Sequence, residues 1–479
     1  MKINRRILLI IILVSILVLV SLLTSYYGST DVNDYANTAK YFAGDLSAKL
    51  RISHSAFYGL VMSPFLGFFE NIFVFKIASI IFLLLLIYSV YYATKNKNAF
   101  WLMLLSPIIW YMGPWINPIQ ISSLLFFWSY YFIKKFDSTN KSSYILLSGI
   151  LAGVSWAFWD AVVFFIILIA ISFFYNKKTY QLIYFLIFVL IGISPKLLLD
   201  QITLGFAFSG ILRYISGQIT SIFFNGIYGS MKGGGNLILN MIILALFLPL
   251  FTYKLFSKEN LKNFKYLLFI FLSILLILKN TQIRYILILT PIIIYELAPQ
   301  LNPSQFKKQI YFSIIMILLV LTPYFIQINH STNISEFSSF ISSLNHVQIY
   351  PSQERILKSD IDRLIRDYPN KTFVVGNKPD DYDYLAFIYW GKNVKEFVSI
   401  QDYNLWFSNS TVLFQKKFMP VPKIQDRRQI WISGGISKNE NDKTEYKNIT
   451  LGIGVGEQIN LENFKLIKKY GSLFLSEKI

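Results

Sequence analysis

"STDVNDYANTAKYFAGD" (29–45) carries three of the nine acidic residues in the first 328 positions, and it directly follows an apolar run over 7–27. Asp31 and Asp34 have the spacing of an N-cap and the third residue of a helix, a carboxylate version of the capping box. Val32, Tyr35, Ala36, Ala39, Phe42 and Ala43 then recur with helical periodicity, and Gly44 is a natural stop. The spacing predicts an amphipathic helix over 32–43. Coming straight after a membrane-length run, such a helix lies on the bilayer surface with its two acids at the start. The run before it has no small-residue cleavage site, so it reads as a retained first span and not as a cleaved signal.

The apolar text continues far beyond this point. The chain of 479 residues is 54% hydrophobic and 17% aromatic, with a mean hydropathy of +0.49, which is too apolar for a soluble enzyme. Runs near 7–27, 72–93, 99–113, 118–133, 144–160, 161–175, 179–195, 237–253, 266–279, 285–298 and 309–328 predict about eleven spans. The apolar stretch at 56–69 is short for a crossing and predicts a re-entrant or interfacial segment. Between the spans, "MKINRR" (1–6), "KNKN" (95–98), "KKFDSTNK" (134–141), "NKK" (176–178), "KLFSKENLKNFK" (254–265) and "QFKK" (305–308) hold 16 of the 25 Lys and Arg before position 329. The positive-inside rule makes these loops cytoplasmic. An odd number of spans from a cytoplasmic N-terminus puts residues 329–479 outside the cell membrane.

The net charge of +19 follows the same division, with 25 basic against 9 acidic residues up to position 328 and 20 against 17 after it. A nucleic-acid binder would place its basic excess on a soluble face, so no nucleic-acid partner is expected. The absence of cysteine excludes disulfide and thiolate chemistry. Five Asn-x-Ser/Thr sequons, at Asn329, Asn333, Asn370, Asn409 and Asn448, agree with an external tail. Patterning in the tail predicts helices at 352–368 and 380–391 and strands at 371–377, 394–400, 411–415, 429–433 and 449–454, a small α/β domain.

Asp31-x3-Tyr35-x3-Ala39-x4-Gly44, placed just after the first span, resembles the first outer loop of membrane glycosyltransferases with the C-type fold, the superfamily of protein mannosyltransferases and aminoarabinose transferases. "SHSAFYGLVMSPFLGFFENIFVFKIASIIFLLLLIYSVYYATK" (53–95) is similar to the family's passage from that loop into the second span. "LILKNTQIRYILILTPIII" (276–294) resembles a late-span motif in which Arg and Tyr precede a proline, here Arg284, Tyr285 and Pro291, and "GISPKLLLDQITLGFAFSGILRY" (192–214) is similar to a further outer loop. Two departures stand out. The acid that often follows the loop Asp is Val32 here, and "WAFWD" (156–160) has only part of the WWD signature of oligosaccharyltransferases, which argues against transfer of whole oligosaccharides.

The resemblance implies an all-α membrane domain over 1–328 and an extracytoplasmic α/β domain over 329–479. It implies a donor sugar carried on dolichyl or undecaprenyl phosphate, such as mannose, and a glycan, glycolipid or glycoprotein acceptor. It implies no metal and no other cofactor. Such a transfer needs a carboxylate to take the acceptor proton, cations to hold the phosphate leaving group, and an apolar groove for the isoprenoid. Asp31 and Asp34 are the candidate bases, and both read equally as helix caps. Tyr35, Arg51, His54, Asp160, Lys196, Arg213, Lys279, Arg284 and Tyr285 are candidates for substrate binding. Arg284 and Lys279 also fit as interfacial anchors, Asp160 as a solvated span end, and Asp45, Glu70 and Asp200 as loop charges. "MKGGGN" (231–236) lacks the Gly-Lys-Ser/Thr ending of a phosphate loop. The rival classes are a flippase or transporter, which would carry charge at the bilayer midplane, and a lipopolysaccharide-type polymerase or ligase, which would need more than the three His present.

Overall fold

The computed structural model describes residues 5–23, 31–44, 56–66, 71–176, 178–204, 206–208, 210–212, 214, 283–325, 358–376, 385, 396–399, 449–455, 457–461 and 463–479. Helix α1 (Arg5–Leu23) precedes a short pair, α2 (Asp31–Phe42) and α3 (Ala56–Met62). The bundle continues through α4 (Asn71–Thr94), α5 (Lys97–Leu104), α6 (Pro107–Met112), α7 (Ile119–Thr139), α8 (Ser142–Phe158), α9 (Val162–Tyr175), α10 (Thr179–Leu204), α11 (Ile286–Leu297) and α12 (Pro303–Phe325). Among the described residues, α4, α10 and α12 are long and apolar enough to cross a membrane, and α1, α8, α9 and α11 are shorter apolar helices. Among the described residues of the stretch 56–69, α3 is followed by one 3₁₀ turn, Ser63–Phe65. The expected spans at 237–253 and 266–279 lie outside the described residues.

Proline is involved in two of the boundaries that differ from the sequence reading. The run 99–113 is broken into α5 and α6, because Ser106 precedes Pro107 and adopts an extended conformation. The Trp110 indole donates to the Leu104 carbonyl at 2.8 Å and satisfies an acceptor that the break leaves open. Conversely, α10 does not stop at 195. Pro195 lies inside it, and the helix runs on to Leu204. Pro195 is exposed on the helix surface, and a proline inside an apolar helix is tolerated where neighbouring groups satisfy the backbone carbonyl it frees.

Small residues bring three of these helices together. Ser122 and Ser155 exchange hydroxyl-to-carbonyl bonds of 3.0 and 2.8 Å between α7 and α8, and their hydroxyls meet at 2.9 Å. Ser129 and Ser148 repeat the contact at 3.0 Å. On its other side α8 meets α10 backbone to backbone. A Cβ on Gly153 would collide with the Val189 carbonyl, and one on Gly192 with the Ile150 carbonyl. Helix α11 runs through the middle, with Ile286–Ile294 all buried against α4, α5, α6 and α7.

In the tail, α13 (Lys358–Asp367) accompanies β1 (Thr372–Val375), β2 (Glu396–Ser399), β3 (Leu451–Val455), β4 (Phe464–Tyr470) and β5 (Leu473–Lys478). The sheet order is β2-β1-β3-β5-β4, parallel across β2, β1 and β3 and antiparallel from β3 to β4. The hairpin β4–β5 was not legible in the sequence. Five consecutive exposed residues between Phe464 and Tyr470 hide the strand period, and Gly471 makes the turn at φ +54. The expected strands at 411–415 and 429–433, and all of the helix at 380–391 except Leu385, lie outside the described residues. One buried apolar cluster takes in Val32, Tyr35, Tyr58 and Phe158 together with Ile361 and Phe373 of the tail.

Candidate active site

The close contact between α8 and α10 sets the site. Lys196 is one turn beyond Gly192, so it shares the face that α10 presses against α8. Asp160 follows the end of α8 by two residues, and Asp200 is one further turn along α10. The Lys196 ammonium lies 3.0 Å from Asp200 Oδ2 and 3.6 Å from Asp160 Oδ1. All three are buried, at 1, 3 and 6% exposure respectively. Gly210 closes over them so tightly that a Cβ there would stand 2.6 Å from Lys196 Nζ and 2.8 Å from Asp200 Oδ2. Buried charge is tolerable only when it is paired, and this cluster is a paired one.

The two carboxylates are not equivalent. Asp200 accepts a hydrogen bond from Lys196 at 3.0 Å, whereas Asp160 Oδ1 has no hydrogen-bond partner among the described residues and meets Lys196 only as an ion pair. Asp160 therefore keeps an acceptor oxygen for a hydroxyl group. Beside it, the Trp159 and Tyr285 rings stack at 5.0 Å and 25°. Arg284 is buried, 8% exposed, with its guanidinium 5.8 Å from the Trp115 ring centre and 5.6 Å from that of Tyr285. Trp115 is held by Gln120, whose amide donates to the carbonyls of Trp115 and Met112 at 3.0 and 3.3 Å. Tyr214 reaches the same region, its ring 6.1 Å from Phe164. Burial, with Tyr285 and Asp160 nearby, pushes its hydroxyl well above the ordinary value, so it stays a neutral donor.

From α2 a chain of rings leads to this place. Tyr35 is buried and meets Tyr58 edge-on at 5.3 Å, and Tyr58 lies 6.5 Å from Phe158, two residues before Asp160. Asp31 and Asp34 stand in the first turn of α2, and their side chains lie outside the described residues. Arg51, His54, Arg213 and Lys279 lie outside them as well. Among the candidates, the structure thus brings Asp160, Lys196, Arg284 and Tyr285 to one end of the bundle and Tyr35 next to it.

Sequence reasoning missed several members. Asp200 is a buried helix residue and not a loop charge. Its spacing of four from Lys196 was the available signal, obscured by ending the helix at Pro195. Trp115 is not singled out in the sequence, and Trp159 enters only as part of "WAFWD" (156–160). Outside this cluster, Lys76, 1% exposed near the start of α4, was legible in the sequence as a charge within an apolar run. No group of three or more metal-ligating side chains occurs among the described residues.

No protein-family model matches the sequence, and no curated protein does either. Solved structures do. The structure is similar to the crystal structure of ArnT from Cupriavidus metallidurans bound to undecaprenyl phosphate, with a TM-score of 0.62 and 12% identity, covering 100% of this chain and 99% of that one. The apo structure of the same protein matches with a TM-score of 0.59 and 11% identity over 99% of each chain. The match covers this chain from end to end, and its fold is therefore that of ArnT.

Proposed function

We propose that this protein is a membrane glycosyltransferase that moves a single sugar from a polyprenyl phosphate, dolichyl or undecaprenyl, to a glycan, glycolipid or glycoprotein acceptor at the outer membrane face. The observation that carries this reading is the buried charged and aromatic site at one end of a bundle whose fold is that of a protein seen with undecaprenyl phosphate. The basic loops 95–98 and 134–141 adjoin the other end, which supports an external site.

In the proposed reaction a carboxylate takes the proton of the acceptor hydroxyl. The oxygen attacks the anomeric carbon from the face opposite the phosphate, the bond from that carbon to the phosphate oxygen breaks, and polyprenyl phosphate leaves with the electron pair. The configuration inverts. Asp31 is the proposed base, one helical turn before the buried Tyr35, with Asp34 as its support or as a cap. Arg284 holds the leaving phosphate in a water-poor place where a charge-assisted bond is strong. Trp159 and Tyr285 offer ring faces to the sugar, and Asp160 accepts from one of its hydroxyls. The tail domain, continuous with α2 and α3 through a shared apolar cluster, covers the site and helps select the acceptor.

The test is to give the purified protein a synthetic polyprenyl-phosphate-linked hexose and an acceptor extract, and to follow the release of polyprenyl phosphate. Passage of intact lipid-linked sugar across a vesicle membrane, without cleavage, would make it a flippase instead.

A further inference from the structure

A cavity lies at the end of the bundle opposite the site. Between α4, α7 and α8 a pocket of about 410 Å³ is lined by Tyr88, Tyr92, Trp128, Phe132, Lys135 and Tyr144. Its walls are well ordered by one another. The Trp128 indole donates to the Ser89 hydroxyl at 2.9 Å, Phe132 stacks on Tyr144 at 5.8 Å and 16°, and Tyr92 meets Trp128 at 5.9 Å. Aromatic residues at a membrane interface are routine, so the rings alone say little.

Two further features set this pocket apart. The first is charge. On the same side of the bundle, Lys134 pairs with Glu296 at 2.7 Å and Lys178 with Asp137 at 2.8 Å. Lys95 and Lys135 instead face rings, 3.7 Å from the centre of Tyr92 and 5.5 Å from that of Tyr131, and among the described residues neither has a carboxylate partner. The rim therefore carries two positive charges that are not neutralised. The second is direction. Ile81, Leu85, Tyr88 and Tyr92 are all exposed and follow one another at helical spacing, so they form a single stripe along α4. The pocket opens at the end of an apolar track that runs along the helix toward the middle of the bilayer.

We propose that this pocket is a binding site for an anionic glycerophospholipid of the cytoplasmic leaflet. Its phosphate faces Lys95 and Lys135, its glycerol backbone meets the tyrosine hydroxyls, and one acyl chain follows Leu85 and Ile81. Juxtamembrane lysines attract anionic headgroups, and the aromatic walls take the region where headgroup meets chain. A zwitterionic lipid would bring a cation to a rim that repels it, and a soluble anion would leave the apolar track unused.

Native mass spectrometry of the full chain, released from micelles containing equal amounts of phosphatidylglycerol and phosphatidylcholine, tests this. The parent protein should retain phosphatidylglycerol in excess, by about fivefold for each lysine. Lys95→Gln with Lys135→Gln should bring the ratio near parity. Lys307→Gln with Lys308→Gln, which removes two exposed cations elsewhere on the same side, should leave it unchanged. Parity in the parent, an unchanged ratio in the first double variant, or an equal fall in the second overturns the proposal. So does displacement of the lipid by an equal concentration of glycerol phosphate, which would mark a site for soluble anions.

Discussion

Lys196 holds two buried carboxylates at once, Asp200 at 3.0 Å and Asp160 at 3.6 Å, and thereby ties the end of α8 to α10. Replacing Lys196 by Met leaves both acids without their cation in a place with little water. Breaking a buried pair in this way costs roughly 3–5 kcal/mol. Thermal unfolding in detergent should show a clear drop in midpoint. Asp160→Asn keeps the Lys196–Asp200 pair, so its midpoint should stay close to the parent while sugar transfer falls. An unchanged midpoint for Lys196→Met would mean that the cluster is solvated in the protein as it functions.

Arg284 is the proposed grip on the phosphate. Arg284→Ala should weaken use of the donor by roughly 2–4 kcal/mol, since a charge-assisted contact in a water-poor site is lost. Arg284→Lys should recover only part of this, because a point charge replaces a planar fork that also lies near Trp115 and Tyr285. Parental rates of polyprenyl phosphate release in both variants would reduce Arg284 to a packing residue.

Asp31 and Asp34 can be told apart by conservative replacement. Asn caps a helix about as well as Asp, so Asp31→Asn should leave α2 and the fold intact. Loss of the base should nevertheless lower turnover by roughly 10²–10⁴. Asp34→Asn should cost much less. Near-parental turnover in Asp31→Asn would leave Asp31 as a cap only and move the search for the base to Asp34 or Asp160.

Topology is open to a direct test. Reporter fusions after residue 95 should report the cytoplasm, and fusions after residue 335 the outside. A reporter at 95 that reads outside would place the site on the cytoplasmic face and overturn both the donor reading and the lipid proposal.

The tail domain should lose a little stability in acid. Lys468 donates to Asp367 Oδ2 at 2.6 Å and the Tyr470 hydroxyl does so at 2.5 Å, which joins α13 to β4. These bonds hold the Asp367 carboxyl below its ordinary value of 3.8. A depressed carboxylate stabilises the fold above its unfolded pKa, and that contribution disappears as the pH falls through the lower folded value. The group is exposed, so the effect is small. Comparing unfolding midpoints at pH 6 and pH 3, the difference should shrink in Asp367→Asn. A difference as large as the parent's would exclude this contact as a source of acid sensitivity.

The membrane class, the helix after the first span, the short segment at 56 and the α/β character of the tail all follow from local text. Each is a matter of period, length or cap along a few turns, and the bilayer's thickness turns apolar length directly into a span. Asp160, Lys196, Arg284 and Tyr285 could be singled out in the same way, as charges and rings at span ends. What they do together could not. The ion-paired cluster depends on glycines at 153 and 192 letting two helices touch backbone to backbone, and on α10 continuing through Pro195 to carry Asp200 inward. The stack of Trp159 on Tyr285 joins residues 126 positions apart. Such contacts arise from how close two helices can approach and how they are rotated, and those quantities belong to the packed bundle and not to any one of its segments.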